Sequence, residues 1–411
     1  MKKIIQITII MLSLSVIFSC NKNDDDDDKQ TPSVSITSPA NGSDLSLGSV
    51  VTITVSASVN GSSITEVKFY IDNVEKSTSA TSPYLYDWNT GGESLGSHTI
   101  KATAYAANGE DASDEISINL DVSFSFTGIA DFPGPPRFEA VAFALNGKGY
   151  VGLGYDYSTK FKDFYQYDPS TNSWSQITDF SGEARSRAIA FVIDNEAYVG
   201  LGYKMYGSSE DLWKFNPVNN TWIQIGDFPT GDSDDASCFV VNSKAYVITS
   251  NLGGVYEYEK DNDTWTQKAD FFGQARGQAI AFTVNGKGYF GTGYDDGASG
   301  FDTRFDDIWE YDCSSDTWTQ MTDMAGDPRG SSVGFAIGSY GFIGGGYDFF
   351  DSFDDFWCYD AENDSWISVG IYPLCDCPTG MVSFVIGDYA YIGTGHHNTE
   401  FTNKCYRFQM N

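Results

Sequence analysis

Four arginines and four tyrosines recur at two fixed positions of a repeated pattern. Each arginine lies eleven residues after an aromatic residue that marks the repeat, and each tyrosine follows a pair of glycines. The residues are Arg137, Arg185, Arg276 and Arg329, and Tyr155, Tyr203, Tyr294 and Tyr347. Planar guanidinium donors and aromatic faces suit a carboxylate, a sugar or an acidic peptide. The two sets predict ligand-binding residues, although hydrogen bonds within the scaffold would also explain a repeated arginine.

Metal and cofactor chemistry has little support. The chain has three histidines, of which His396 and His397 are adjacent and should project in different directions. The loops from Asp295 to Asp306 and from Asp348 to Asp355 are rich in Asp, Phe and Gly, but their spacing matches no EF-hand loop. The sequence therefore predicts no cofactor, no metal site and no assignable catalytic residue.

The N-terminus has the pattern of a secretory signal. Lys2 and Lys3 precede an apolar run from Ile4 to Phe18, which ends at Ser19-Cys20. A small residue before such a cysteine resembles a bacterial lipoprotein signal. The resemblance implies that residues 1–19 are removed and that Cys20 is lipidated; an ordinary signal peptide with a chance cysteine is the alternative.

An acidic tether, residues 20–30, follows the signal. It contains five consecutive aspartates, Asp24 to Asp28, and resembles the export signal of Bacteroidetes-type surface lipoproteins. This implies an outer-membrane protein that is anchored only by its lipid and exposed at the cell surface, with a periplasm-facing lipoprotein as the alternative. Asp and Glu total 56 against 24 Lys and Arg, a net charge of -32, which disfavours nucleic acid as a partner.

Residues 31–123 predict a β-sandwich. Short apolar-polar alternations are separated by turn dipeptides such as Asn60-Gly61 and Asn108-Gly109. The segments from Ile36 to Gly42 and from Lys101 to Tyr105 resemble the beginning and end of bacterial Ig-like domains. The resemblance implies a spacer or an adhesion module, and we favour a spacer.

Residues 124–411 contain an internal repeat. Tryptophans recur at intervals of 48, 43, 53 and 48 residues, each seven residues after an aromatic residue: Trp174, Trp222, Trp265, Trp318 and Trp366. Glycine pairs precede them in most copies. The set resembles the Kelch repeat in six copies, which implies an all-β protein with an Ig-like sandwich followed by a six-bladed β-propeller.

The repeat also predicts how the propeller closes. The last copy ends at Asn411 after its third strand, while Ser125 to Phe132 aligns with Ser173 to Phe180. We therefore expect residues 125–130 to supply the missing outer strand of the sixth blade. Tight turns close one face, so function is expected on the long loops of the other.

The resemblance leaves two classes of function open. Kelch-like propellers include copper-radical galactose oxidases and a sialic acid epimerase. Copper chemistry needs two dispersed His ligands, which this propeller lacks, whereas an epimerase or mutarotase acting on an acidic sugar needs only an arginine and an acid/base pair. We favour a surface-anchored module that binds glycan or protein and is not an enzyme, with such an epimerase as the alternative.

Six further cysteines permit disulfides in an exported chain. They are Cys238, Cys313, Cys358, Cys375, Cys377 and Cys405. Cys375 or Cys377 is placed to meet Cys405 on one face of the sixth blade, and Cys238 is expected to be a buried thiol.

Overall fold

The computed structural model describes residues 30–231, 233–295, 303–374, 379–397 and 400–411. These ranges consist of strands, turns and loops, and none of them contains a helix. Nothing in the described chain is a helix long and apolar enough to cross a membrane. The chain forms two compact units that divide between Asp121 and Val122. Cys20 and the acidic tether up to residue 29 lie outside the described residues.

The first unit is a sandwich of two sheets. One sheet has the strand order β1-β3-β6 and the other β2-β8-β7-β4-β5, with β2 parallel to β8. Inward-facing side chains of both sheets, with Trp88 and Phe69 among the largest, form one apolar core. The strands are β1 Ser33–Ser38, β2 Asp44–Ser46, β3 Val50–Ser58, β4 Ile64–Ile71, β5 Val74–Ser79, β6 Tyr84–Asn89, β7 Gly96–Ala106 and β8 Asp111–Asp121.

The second unit is a propeller of six four-stranded antiparallel blades. Blade 6 begins the unit with β9 Phe124–Gly128 and ends it with β34 Val382–Ile386, β35 Tyr389–Gly393 and β38 Cys405–Met410. Blade 1 comprises β10 Val141–Leu145, β11 Lys148–Gly152, β12 Phe164–Asp168 and β13 Ser173–Gln176. Blade 2 comprises β14 Ile189–Ile193, β15 Glu196–Gly200, β18 Leu212–Asn216 and β19 Thr221–Gln224.

The other three blades repeat this order. Blade 3 comprises β20 Ser237–Val241, β21 Lys244–Ile248, β22 Val255–Glu259 and β23 Thr264–Gln267. Blade 4 comprises β24 Ile280–Val284, β25 Lys287–Gly291, β28 Ile308–Asp312 and β29 Thr317–Gln320. Blade 5 comprises β30 Val333–Ile337, β31 Tyr340–Gly344, β32 Asp355–Asp360 and β33 Ser365–Ile371.

In the described ranges, three small hairpins lie in the loops between second and third strands. They are β16 Tyr203–Lys204 with β17 Gly207–Ser208, β26 Tyr294–Asp295 with β27 Thr303–Arg304, and β36 His396–His397 with β37 Glu400–Phe401. All three occupy the long-loop face of the propeller, because these loops leave the same end of each blade.

The predicted closure of the ring is confirmed. Strand β9 pairs with β38, so that Phe126 lies opposite Phe408 as Trp174 lies opposite Tyr167 in blade 1. The strand ends at Gly128 rather than residue 130, although the Ile129 N–H still donates to the Cys405 carbonyl at 3.0 Å. Each innermost strand touches the next around the ring, and β34 of blade 6 touches β10 of blade 1.

Aromatic side chains fill the wedges between blades. Trp222 of blade 2 packs on Phe164 of blade 1, with ring centroids 5.0 Å apart, and on Phe180 at 5.1 Å. Small side chains line the axis instead, in an axial channel of about 200 Å³. Cys238 lies there, half-buried, and its thiol donates to the Ala190 carbonyl at 3.5 Å.

Cys405 is a buried free thiol in the structure. Its thiol contacts the Asn403 carbonyl at 3.6 Å, and burial raises its pKa to about 12. Cys375 and Cys377 lie outside the described residues. Cys313 and Cys358 are likewise free thiols.

Candidate functional site

The four repeated arginines are buried inside the propeller. Arg137, Arg185 and Arg329 are 0% exposed and Arg276 is 3% exposed. In blade 1 the Arg137 guanidinium donates to both carboxylate oxygens of Asp163, at 2.6 and 2.8 Å, and to the carbonyls of Leu153 and Pro135, each at 3.0 Å. The other three arginines repeat this arrangement with Asp211, Asp307 and Asp355.

These contacts show that the ligand-binding prediction for Arg137, Arg185, Arg276 and Arg329 is wrong in this structure. Each guanidinium is covered by an aromatic ring and uses four of its five N–H groups on a carboxylate and loop carbonyls, and its burial keeps it out of reach of a ligand. Although burial alone would raise it, hydrogen bonds from Arg185, Ser209 and Trp213 hold the pKa of Asp211 at about 2. The arginines are scaffold, the second of the two roles that the pattern allowed.

A signal for this role is present in the sequence. The copies that carry the arginine also carry an aspartate four residues before the aromatic of the third strand, namely Asp163, Asp211, Asp307 and Asp355. The third copy has Ser233 and Gly254 at these two positions. Arginine and aspartate are therefore gained and lost together, as expected of a buried pair.

Three of the four predicted tyrosines line a cavity at the centre of the long-loop face. Tyr155, Tyr294 and Tyr347 contribute to its wall, and its volume is about 370 Å³. Tyr203 is not part of this wall; it is 41% exposed and stacks under the Lys160 ammonium group at 4.1 Å. We call this cavity the mouth of the propeller.

The floor of the mouth comes from four members of a six-residue ring that sequence reasoning missed, and a fifth member, Asp235, lines a neighbouring cavity together with Arg187. One residue from each blade, placed just before its innermost strand, adopts a left-handed conformation with φ between +50° and +62°. The six residues are Glu139, Arg187, Asp235, Gln278, Ser331 and Gly380. We call them the inner ring. Left-handed backbone is uncommon outside glycine and often marks functional positions, because surrounding structure must enforce it.

Backbone hydrogen bonds join the inner ring across the blades. The N–H of Arg187 donates to the carbonyl of Glu139, that of Glu139 to Gly380, and that of Gly380 to Ser331, each at 3.1 Å. The Ser331 N–H continues the series to Gln278 at the same distance. These bonds fix the backbone, so that the side chains are presented at the axis from a rigid base.

Side chains of the inner ring form one polar network. Arg187, of blade 2, donates to Glu139 at 2.9 Å and to Asp235 at 2.8 Å. It therefore joins blade 1 to blade 3. The Gln278 amide contacts Glu139 across the axis at 3.5 Å, and the Ser331 hydroxyl donates to Gln278. The floor therefore presents a hydrogen-bonded series of donors and acceptors.

The charges on this floor are strongly coupled. Burial raises the pKa of Asp235 to about 7 despite the neighbouring Arg187, with help from the negative charges of Glu139 and Asp234. Although burial opposes its charged form, Arg187 has its pKa raised by the carboxylates of Asp235 and Glu139. One guanidinium thus lies between two carboxyl groups, of which Asp235 exchanges its proton near neutral pH.

Aromatic rings build one wall of the mouth. Phe138 lies between Tyr155 and His396, with ring centroids 4.3 and 4.2 Å away. The hydroxyl of Tyr157 contacts the His396 imidazole at 3.2 Å. Burial raises the pKa of Tyr155 and of Tyr157, so both hydroxyls stay protonated and can donate hydrogen bonds.

The opposite wall is held by an arginine outside the repeated set. The Arg304 guanidinium lies 4.4 Å from the ring of Tyr294, 5.1 Å from that of Tyr347 and 4.1 Å from that of Phe349. Its Nε and Nη1 are buried and find no hydrogen-bond acceptor within the described chain. Cation–π contacts hold it instead, and they connect the loops of blades 4 and 5.

The sequence predicts no metal site in the two acidic loops of this face, and the structure describes only part of these loops. Among the described residues, no group of three His, Cys, Asp or Glu side chains is arranged to hold a metal ion. Residues 296–302, which make up much of the first acidic loop, lie outside the described residues. In the second acidic loop Asp348 caps its own turn, accepting from the N–H groups of Phe350 at 2.6 Å and Asp351 at 2.7 Å.

The inner ring could have been found from its spacing. Its first five members, Glu139, Arg187, Asp235, Gln278 and Ser331, lie thirteen residues after the aromatic that marks each repeat, two residues beyond the arginine position. Their residue types all differ, whereas the surrounding repeat is regular. A position that varies inside an otherwise uniform repeat is the signal that would have found them.

Comparison with known proteins agrees with this architecture. Residues 32–102 match the bacterial Ig domain family, and residues 293–325 match the Kelch motif family. The N-acetylneuraminate epimerase of Yersinia enterocolitica serotype O:8 is 49% identical over 55 residues, which cover 12% of this chain and 14% of that protein. The solved structure of YjhT aligns with 68% of this chain and 99% of its own, with a TM-score of 0.57 and 17% identity.

Proposed function

We propose that this chain, which carries a bacterial Ig domain and a six-bladed propeller of the Kelch type, binds a carbohydrate in the mouth of the propeller. One observation carries the proposal: aromatic rings surround a floor of side chains that are rich in both donors and acceptors. Sugars need this combination, because one face of the ring is apolar while its hydroxyls each donate and accept.

The size and charge of the mouth favour a sugar over an acidic peptide. Its volume of about 370 Å³ lies near the lower end of the range of roughly 300 to 1,000 Å³ for ligand sites, and suits one or two sugar rings. The four arginines expected to bind carboxylates are neutralised by aspartates. Among the described residues that line the mouth, Arg187 alone brings a full positive charge to the floor, and two carboxyl groups flank it.

A glycan array probed with the purified chain tests the proposal. We expect the wild-type protein to retain a defined set of glycans and Tyr347→Ala to lose them, because Tyr347 lines the mouth. Tyr389→Ala is the matched control, since Tyr389 lies at the start of β35 on the tight-turn face. Retention of no glycan by the wild type, or equal loss by both variants, would refute carbohydrate binding in the mouth.

A second candidate function is epimerisation or mutarotation of an acidic sugar. The relative from Yersinia is named for such a reaction, and the floor holds an arginine between two carboxyl groups. Ring opening needs a base that takes the proton of the anomeric hydroxyl and an acid that protonates the ring oxygen as the C–O bond breaks. Arg187 would bind the substrate carboxylate, and Glu139 and Asp235 are groups of the required type.

Exchange between the anomers of N-acetylneuraminate, followed by NMR, tests this candidate. We expect the wild-type protein to accelerate the exchange and Glu139→Gln to remove the acceleration. Glu196→Gln is the matched control, because Glu196 begins β15 on the tight-turn face. Binding of the sugar without acceleration would exclude the catalytic function and leave carbohydrate binding in place.

The N-terminal features support a proposal about location. We place the protein at the outer membrane, anchored by lipid on Cys20 and exposed at the cell surface, with the Ig domain as a spacer. Metabolic labelling with palmitate should mark the wild type and not Cys20→Ser. Protease treatment of intact cells should then degrade the propeller; full protection would place it inside the cell envelope.

A further inference from the structure

A second cavity adjoins the mouth on the side of blades 1 and 2. It has a volume of about 910 Å³, and its walls include Tyr155, Tyr157, Lys160, Lys162, Met205 and Trp213. We call it the lateral groove. It is more than twice as large as the mouth, and nothing in the proposed function uses it.

The mouth and the lateral groove share a wall. Tyr155 and Tyr157 line both cavities, and their ring centroids lie 5.7 Å apart. Tyr157 is 54% exposed, so it forms a low barrier between the two spaces. A ligand too long for the mouth can therefore continue over these rings into the lateral groove.

Two lysines line the lateral groove, although the chain as a whole carries a net charge of -32, and the two carboxylates in its walls are paired, Asp211 with Arg185 and Glu183 with Lys204. The Lys160 ammonium donates to the carbonyls of Tyr203 at 2.6 Å and Lys204 at 3.1 Å, which leaves one of its three N–H groups. Lys162 is exposed and has no ion-pair partner among the residues described. Lys204 follows nearby, with Glu183 3.5 Å from its ammonium group.

Apolar surface accompanies these lysines. Met205, at the tip of the β16–β17 hairpin, is 74% exposed, and Tyr206 beside it is 90% exposed. Trp213 adds an indole whose N–H is taken by Asp211 at 2.8 Å, so that it presents ring surface to the groove. Aromatic and thioether surface next to ammonium groups suits a sugar ring that carries an anionic substituent.

We infer that the ligand of the mouth is an oligosaccharide whose chain crosses Tyr157 and places an anionic residue in the lateral groove, against Lys160 and Lys162. The inference rests on the proposed carbohydrate binding. It adds that the ligand is longer than one sugar and that its anionic group is recognised away from the floor. Salt should weaken the contribution of the groove more than that of the mouth, because Lys162 is exposed.

Binding of oligosaccharides graded from one to four residues tests the inference. The probes are uronate, sialylated and sulfated series together with neutral series of the same lengths. We expect affinity for at least one anionic series to rise about tenfold with length, and Lys162→Gln to remove about three- to tenfold of that gain. Lys162→Arg should restore it, and Lys148→Gln, on the tight-turn face, should leave it unchanged.

The possible failures are distinct. If the shortest probe binds and Tyr347→Ala abolishes it, but longer anionic probes bind no better, the inference is wrong and carbohydrate binding stands. The inference is also wrong if the gain with length survives Lys162→Gln. If the wild-type protein binds no probe of any series, the proposed function itself fails.

Discussion

Two positions of the repeat lie two residues apart in most copies, and their side chains have opposite environments. The first holds arginine in four blades, and in each it is buried against an aspartate of the same blade. The second, the inner ring, holds a different residue in every blade, and four of its six members line the mouth. An identical residue at a repeated position makes the same contact inside each blade that carries it. Varied residues at such a position instead form a single asymmetric surface.

The contrast has a physical basis in desolvation. A buried guanidinium is tolerated only when a carboxylate and carbonyls satisfy it, so each blade that has the arginine also has its partners. At the mouth the side chains remain in reach of solvent, and Arg187 is 29% exposed. Its partners come from neighbouring blades rather than its own, which couples three blades at the floor.

The largest expected effect is on stability, from Arg185→Ser. Removal of this side chain takes away the cationic partner of the Asp211 carboxylate, which keeps only the Ser209 and Trp213 donors, and the side-chain donor of the Leu201 carbonyl. This should lower the free energy of unfolding by about 3 to 5 kcal/mol. Denaturant unfolding measures this. The double variant Arg185→Ser, Asp211→Gly reproduces the third blade, which has Ser233 and Gly254, and should lose less than the single variant. A larger loss in the double variant would contradict the paired-charge account.

The next effect is on binding, from Glu139→Gln. This change keeps the shape of a residue that contacts Arg187 and Gln278, and it removes the charge at the floor. We expect at least about tenfold weaker glycan binding, equivalent to about 1.4 kcal/mol, with a smaller loss of stability than Arg185→Ser causes. Calorimetric titration beside denaturant unfolding checks both. A variant that binds normally but unfolds readily would place Glu139 with the scaffold.

The pH dependence of stability should differ in sign between Asp235 of the inner ring and Asp211, the buried partner of Arg185. The pKa of Asp235 is raised to about 7 in the folded protein. Its protonation therefore adds to the free energy of unfolding at low pH, and this contribution is lost as pH rises from about 4 to about 7. The pKa of Asp211 is lowered to about 2, so its contribution is present above about pH 4 and is lost as pH falls towards 2. Unfolding measured from pH 3 to pH 8 should show Asp235→Asn flattening the upper part of the profile and Asp211→Asn the lower part. If Asp235→Asn and Asp211→Asn changed the same part of the pH profile by the same amount, the predicted difference between these two aspartates would be wrong.

The smallest effect is expected from Arg304, an arginine that belongs to neither position. Arg304→Gln removes its cation–π contacts with Tyr294, Tyr347 and Phe349, and such contacts are typically worth about 0.5 to 2 kcal/mol each. We expect glycan affinity to fall by about two- to fivefold, because the wall of the mouth loosens while its floor is kept. An effect as large as that of Glu139→Gln would instead make Arg304 a direct ligand contact.

Much of the architecture follows from local rules that can be read along the chain. The interval between tryptophans and the glycine pairs predicted the propeller, and the alignment of Ser125 to Phe132 with a later outer strand predicted its closure. Gly154, a member of one glycine pair, is an example of such a local rule. It has a φ of +87°, and a Cβ there would lie 2.7 Å from the Phe138 carbonyl. Such constraints are local and recur in each copy, so one sequence displays them several times.

The functional site depended on tertiary structure. Arg137 and Glu139 are separated by a single residue, and their types alone do not say which faces the ligand; the left-handed turn at Glu139 decides this by directing its side chain to the axis. The network from Ser331 to Asp235 joins residues from blades that are far apart along the chain. The sequence by itself therefore determined the repeat, its fold and its closure, because each blade obeys the same local packing. Closure of the ring decided which side chains meet at the axis, because only then do single residues from different blades share one surface.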